Sequence, residues 1–107
     1  MALFSDDVWG QAAAQGAIIH SIPQEGSYIV LQQGEVRRVY VNRCPHRHLP
    51  LGRSGRVAFT ADRRLLVCAN HGAKFDPASG QCVAGPCRGK ALQRLPELER
   101  SSQALEP

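Results

Sequence analysis

Two short stretches, Cys44-Pro45-His46 and Cys68-Ala69-Asn70-His71, constrain this chain more than anything else in it. Each offers one thiolate and one imidazole. A Cys and a His separated by a single residue do not share a helical face, so the first stretch reads as a tight loop. Two such loops meeting at their tips would present four ligands to one inorganic centre. Soft thiolates and borderline imidazoles suit zinc or an iron-sulfur cluster and suit calcium or magnesium badly. Spacing alone leaves both choices open.

The rest of the chain is built to a modest scale. At 107 residues it is read as one domain, small enough that a bound metal group would matter to its stability. No apolar run approaches the roughly 18 residues that cross a bilayer. The start, Met1 to Trp9, carries Asp6 and Asp7 in place of a basic segment followed by an apolar one, so no signal peptide is read there and a cytoplasmic location is expected. Thirteen basic and nine acidic side chains leave a net charge of +4. The plainer reading is a solvated basic surface. The functional one is that Arg43, Arg47, His48, Arg53 and Lys74 ring the ligand loops and favour an acidic docking partner. The basic residues do not alternate with aromatic ones, which argues against nucleic acid.

In chain order, Ser5-Asp6-Asp7 is positioned to cap a short helix ending near Gly16. Trp9 reads as its packing anchor, with a dimer contact as the alternative, and His20 as an ordinary strand residue in the apolar run Ala17 to Ile22. Tyr28 to Gln32 and Val36 to Val41 have strand composition around a Gln33-Gly34-Glu35 turn. Val39 and Val41 would face one side of the sheet, and Arg38, Tyr40 and Asn42 the other. That second strand leads straight into Cys44. Val57 to Thr60 and Leu65 to Val67 read as another pair, the latter leading into Cys68; Gln81 to Val83 and Ala91 to Leu95 read as the last strands. The tail from Glu97 is polar and expected to fray. Cys82 and Cys87 fall outside the ligand pattern and read as inert, buried small hydrophobes, not joined in a disulfide in a reducing compartment.

The paired Cys-His motifs, the flanks Pro45 to Arg47 and Pro50 to Gly52, and His71-Gly72-x-x-Phe75-Asp76-x-x-x-Gly80 together resemble the Rieske 2Fe-2S proteins. The resemblance covers roughly Ile29 to Leu95. It implies an all-β fold, an antiparallel β-sandwich with a small inserted cluster-binding subdomain at about residues 43–85. Residues 1–16 would form an N-terminal extension and 97–107 a tail. It also implies one 2Fe-2S cluster per chain, with Cys44 and Cys68 on one iron and His46 and His71 on the other, both imidazoles standing exposed where electrons leave. The span between His46 and Cys68 exceeds the family's usual length, the excess being placed in Gly55 to Leu66. His48 matches no ligand position and is read as a loop residue beside the cluster.

The resemblance also bears on potential. In the Rieske proteins of cytochrome bc complexes, a Ser and a Tyr hydrogen-bond to the cluster sulfurs where this chain has Ala73 and Phe75, and a disulfide joins the positions of Leu49 and Asn70. Their absence implies a low-potential, ferredoxin-like centre. The expected role is a soluble one-electron carrier between a flavoprotein reductase and an oxygenase or similar acceptor, monomeric or weakly self-associating, and not itself an enzyme. The alternatives are a redox-sensing accessory module and a structural zinc protein; the His71 to Asp76 stretch and Gly85-Pro86, which zinc has no need of, weigh against zinc.

Overall fold

The computed structural model describes residues 4–45, 57–68 and 72–99. A helix α1 (Asp6–Gln15) precedes strands β1 (Ala17–Ile22), β2 (Gly26–Gln33) and β3 (Val36–Val41), which form an antiparallel sheet in that order. Strands β4 (Ala58–Phe59), β5 (Leu66–Val67), β6 (Lys74–Phe75) and β7 (Cys82–Ala84) form a second antiparallel sheet, again in chain order. The expected all-β architecture is present.

Local sequence accounts for the first half. The Ser5 hydroxyl accepts the Val8 N–H at 3.3 Å, Asp6 and Asp7 sit against the positive end of the helix dipole, and Gly16 closes α1 at φ +89°. Trp9 and Ala12, three residues apart, are the face that α1 buries. This is packing, not a dimer contact, since Trp9 is 2% exposed. Gly34 at φ +60° permits the two-residue turn that sets Gln33 opposite Val36.

That register explains why the first sheet is covered on both sides. Ile18, Val30 and Val39 lie in one cross-strand row and pack with Phe4, Trp9, Ala12 and Leu98. One residue along, Ile29 and Tyr40 point to the opposite face, where Ala17 and Leu31 join them against Leu66, Phe75 and the four cysteines. The alternation expected for β3 is therefore real, but its Tyr40 face is as dry as its Val39 face: both residues are fully buried. Fully burying side chains of this size contributes about 1.5–3 kcal/mol each.

Two expectations near the C-terminus are corrected. Ala91 to Leu95 is not a strand. It makes single bridges, Gln81 with Ala91 and Tyr40 with Arg94, because it crosses from one sheet to the other. The tail does not fray at Glu97: Pro96–Leu98 is a turn of 3-10 helix, Leu98 is buried, and the Glu99 carboxylate accepts the Val39 N–H at 3.1 Å and a two-pronged bond from Arg94. An apolar Leu98 against Val39 outweighed a polar composition.

The return of the chain past β3 is what makes the second sheet an insertion. Val41 N–H donates to Gln93 O at 2.9 Å and Leu95 N–H to Val39 O at 2.8 Å, so departure and return run side by side. Across the core, the Tyr40 hydroxyl donates to Pro77 O at 2.6 Å and Arg38 Nε donates to Ala78 O at 2.7 Å. Burial pushes the Tyr40 phenol from its ordinary value of 10.0 up to about 12. The unfolded chain therefore ionises first as pH rises, and the stability held by the neutral phenol, complete below about pH 10, is lost towards pH 12 by up to about 2–3 kcal/mol. Tyr40→Phe is expected to lose about 1 kcal/mol at neutral pH with the hydroxyl bond and to show a shallower alkaline decline. Denaturant titrations at stepped pH check this, and parallel slopes for both proteins would contradict it.

Candidate metal centre

Strand β3 delivers Cys44 through a braced exit. Asn42 N–H donates to Ser27 O at 3.0 Å, its side-chain amide donates to Ser27 Oγ at 3.1 Å, and Arg43 N–H donates to Val41 O at 2.8 Å. Cys44 follows, fully buried. Strand β5 delivers Cys68, 1% exposed, whose N–H donates to Ala73 O at 2.8 Å and whose carbonyl accepts the Gly72 N–H at 3.0 Å. Each expected thiolate thus emerges at the end of a strand, and both belong to one apolar cluster.

The other two expected ligands, His46 and His71, lie outside the described residues, as do Arg47, His48, Leu49, Arg53 and Asn70. Ala73 and Phe75, which carry no hydroxyl, are both fully buried.

A third segment closes on this pair. Gly85 adopts φ +99°, and a Cβ there would lie 2.8 Å from Ala73 Cα, so only glycine allows this approach to the chain just after His71. Beyond it, Arg88 N–H donates to Gly85 O at 3.2 Å, Lys90 N–H to Cys87 O at 2.9 Å and Cys82 N–H to Lys90 O at 2.8 Å. This turn holds Cys87 inward and fully buried. Cys82 and Cys87 are buried as expected, in the same apolar cluster as Cys44 and Cys68. Burial first, then the neighbouring Cys82 and Cys44, pushes the Cys87 thiol up to about 12. The tight Gly-Pro-Cys-Arg-Gly turn is the sequence signal for its place in that cluster.

None of the four cysteines is in a disulfide. Among the described residues no three His, Cys, Asp or Glu side chains are disposed to hold a metal ion by themselves, so Cys44, Cys82 and Cys87 are not a self-sufficient trio. Two buried thiols in one apolar cluster, sheltered from water and each followed within three residues by a histidine, fit a centre with mixed sulfur and nitrogen ligands. Arg43 and Pro45, beside Cys44, also line a small surface cavity with Val41, Ala91 and Gln93.

A family model of the Rieske [2Fe-2S] domain matches residues 5–99. The match reaches past the region of motif resemblance to include α1 and β1. The fold is similar to that of the terminal oxygenase of carbazole 1,9a-dioxygenase from Novosphingobium sp. KA1, with a TM-score of 0.53 and 17% identity. That likeness covers 78% of this chain and 28% of the oxygenase chain. No curated protein sequence matches.

Proposed function

This chain belongs to the Rieske [2Fe-2S] domain family, and from that premise we propose that it carries single electrons from a flavoprotein reductase to an oxygenase or a similar acceptor. Rieske domains bind a 2Fe-2S cluster and serve as electron-transfer modules. The cluster, when bound, supplies a one-electron couple tuned by its ligands and their surroundings. We assign its ligands as Cys44 and Cys68 on one iron and His46 and His71 on the other. The observation that supports this most directly is the burial of Cys44 and Cys68 in one core at the ends of β3 and β5.

The chain's own residues set the remaining chemistry. Apolar packing by Leu66, Ala73 and Phe75 keeps water from the cysteine side, and Gly85 brings the closing turn against Ala73. Neither Ala73 nor Phe75 carries a hydroxyl, so two stabilising bonds to a more negative, reduced centre are missing. The midpoint is expected in the lower part of the range of such centres, roughly −150 to +300 mV. The oxygenase in the structural comparison suggests the kind of acceptor, and oxygen chemistry is assigned to that partner.

The test is a potentiometric titration followed by EPR, then stopped-flow mixing with a reduced flavoprotein reductase. A rhombic signal on reduction, a low midpoint and electron transfer fast enough for turnover are expected. A colourless, zinc-loaded protein would reject the centre; a sound cluster that no reductase reduces would reject the carrier role.

A further inference from the structure

We propose that the protein accepting this chain's electron docks through an acidic face on the basic insertion, and that the opposite charge of the base turns the chain metal end first as the two approach. This rests on the carrier role given above and names the chemistry of the partner.

Charge is divided at the seam where the insertion departs at Val41 and returns at Gln93. Residues 42–92 carry nine basic and two acidic side chains, a net charge of +7. The rest of the chain carries four basic and seven acidic ones, a net charge of −3. The overall +4 conceals this division.

Hydrogen bonding sharpens it. Both acidic residues of the insertion serve their own loops: Asp62 accepts the Arg64 N–H at 3.0 Å, and Asp76 accepts those of Ala78 and Ser79 at 2.8 and 3.1 Å. The cations of the base are engaged as well. Arg94 pairs with Glu99, Arg38 donates to Ala78 O, and Arg37 lies 4.5 Å over the Trp9 ring. By contrast, Arg43, Arg88 and Lys90 are exposed and Lys74 is half-buried, and among the described residues none of these four is in an ion pair. They surround the cysteine side of the site. Arg43 precedes Cys44, and Lys74 pairs across strands with Val67, one residue before Cys68. Arg88 and Lys90 stand on the turn that Gly85 closes against Ala73.

The charge selects the occupant. A surface field of one sign raises encounter rates with an oppositely charged face on the order of 10- to 1,000-fold and sets its orientation. Single-stranded nucleic acid also asks for stacking faces. The insertion's two aromatic rings offer none, since Phe75 is fully buried and Phe59 lies under Arg63 at 4.7 Å. The base of a second copy would bring only −3 to a surface of +7.

The experiment mixes reduced holoprotein, its iron content and EPR signal verified, with hexacyanoferrate(III) or with hexaammineruthenium(III) in a stopped-flow instrument. One electron leaves the centre and reduces iron(III) to iron(II) or ruthenium(III) to ruthenium(II). Between about 0.01 and about 0.5 M salt the rate with the anionic oxidant should fall about tenfold, and that with the cationic oxidant should rise. Arg88→Glu combined with Lys90→Glu should slow the anionic reaction about tenfold at low salt and flatten its salt dependence. Glu35→Lys, at the opposite end of β3 from Cys44, should leave it within about twofold. Fluorescence anisotropy of a labelled oligoglutamate, which needs no electron transfer, should show several-fold weaker binding to the double variant than to the parent.

An iron-replete double variant with parental rates and parental oligoglutamate affinity would overturn the inference and leave the carrier role standing. An effect of Glu35→Lys as large as that of the double variant would overturn it too, by tracing the salt dependence to net charge. The parent alone also decides, since rates with the two oxidants that move in the same direction with salt would overturn it. An oligothymidylate bound more tightly than about 1 μM at physiological salt would give the face to nucleic acid. Self-association at low salt that Glu35→Lys abolishes would give it to a second copy. A parent protein without iron and sulfide would instead overturn the ligand assignment.

Discussion

Cys68→Ala protein is expected to be isolated without colour, without acid-labile sulfide and without an EPR signal on reduction. Cys68 is 1% exposed at the end of β5, and its backbone is tied on one side to Gly72 and on the other to Ala73. No rearrangement of the strand brings another side chain to the same point without breaking those bonds. Cys87, a spare thiol of the same apolar cluster, is held by the backbone bonds of its own turn. Loss of the centre also removes the stability that ligand binding confers, about 4 kcal/mol for a group present at a thousand times its dissociation constant. Iron and sulfide analysis with thermal unfolding checks both consequences. Cys82→Ala, which removes a buried thiol outside the ligand set, is the control: it should retain the centre. A coloured Cys68→Ala protein with full iron would remove Cys68 from the ligand set.

Gly85→Ala, just beyond β7, should be strongly destabilising. Two costs add there. The backbone stands at φ +99°, a region that L side chains enter at about 1–3 kcal/mol, and the new Cβ would lie 2.8 Å from a backbone atom of Ala73, which has no rotamer to yield. Overpacking of this kind costs typically about 1–3 kcal/mol. The sum, roughly 2–6 kcal/mol, is a large share of the stability of a domain this size and corresponds to a fall in Tm of about 10 °C or more. Gly34→Ala separates the two terms: Gly34 also has positive φ, at +60°, but nothing lies within 4 Å of its added Cβ. If both substitutions lower Tm equally, the close approach of Gly85 to Ala73 contributes nothing. Because Ala73 is bonded to Cys68, Gly85→Ala should also release iron faster to a chelator than Gly34→Ala does.

What could be read from the residues was mostly local. The Ser5 cap, the helix stop at Gly16, the turn at Gly34 and the strand runs ending at Cys44 and Cys68 each follow from chemistry within a few positions, and the structure reproduces them. The motif pairs pointed to the right family for the same reason. What was misread depends on partners distant in the chain. Nothing near Leu98 signals that Val39 will receive it, and nothing in Ala91 to Leu95 signals that the segment must serve two sheets in turn and so belong fully to neither. Strand β6 is only two residues long, too short for a period to register, and exists because β5 and β7 flank it. Cys82 and Cys87 read as buried thiols outside the ligand pattern, and both are buried and in no disulfide.

The side-by-side passage of Val41 and Gln93 has an evolutionary consequence. An excursion that leaves and rejoins its base at one seam can change in length without forcing the base to re-register, since its ends meet wherever its middle goes. Closure entropy grows only by about 0.6 kcal/mol for each doubling of such a segment. The long stretch between the two cysteine motifs is therefore cheap to vary, and a lineage could retailor the surface around the metal while inheriting the foundation unchanged.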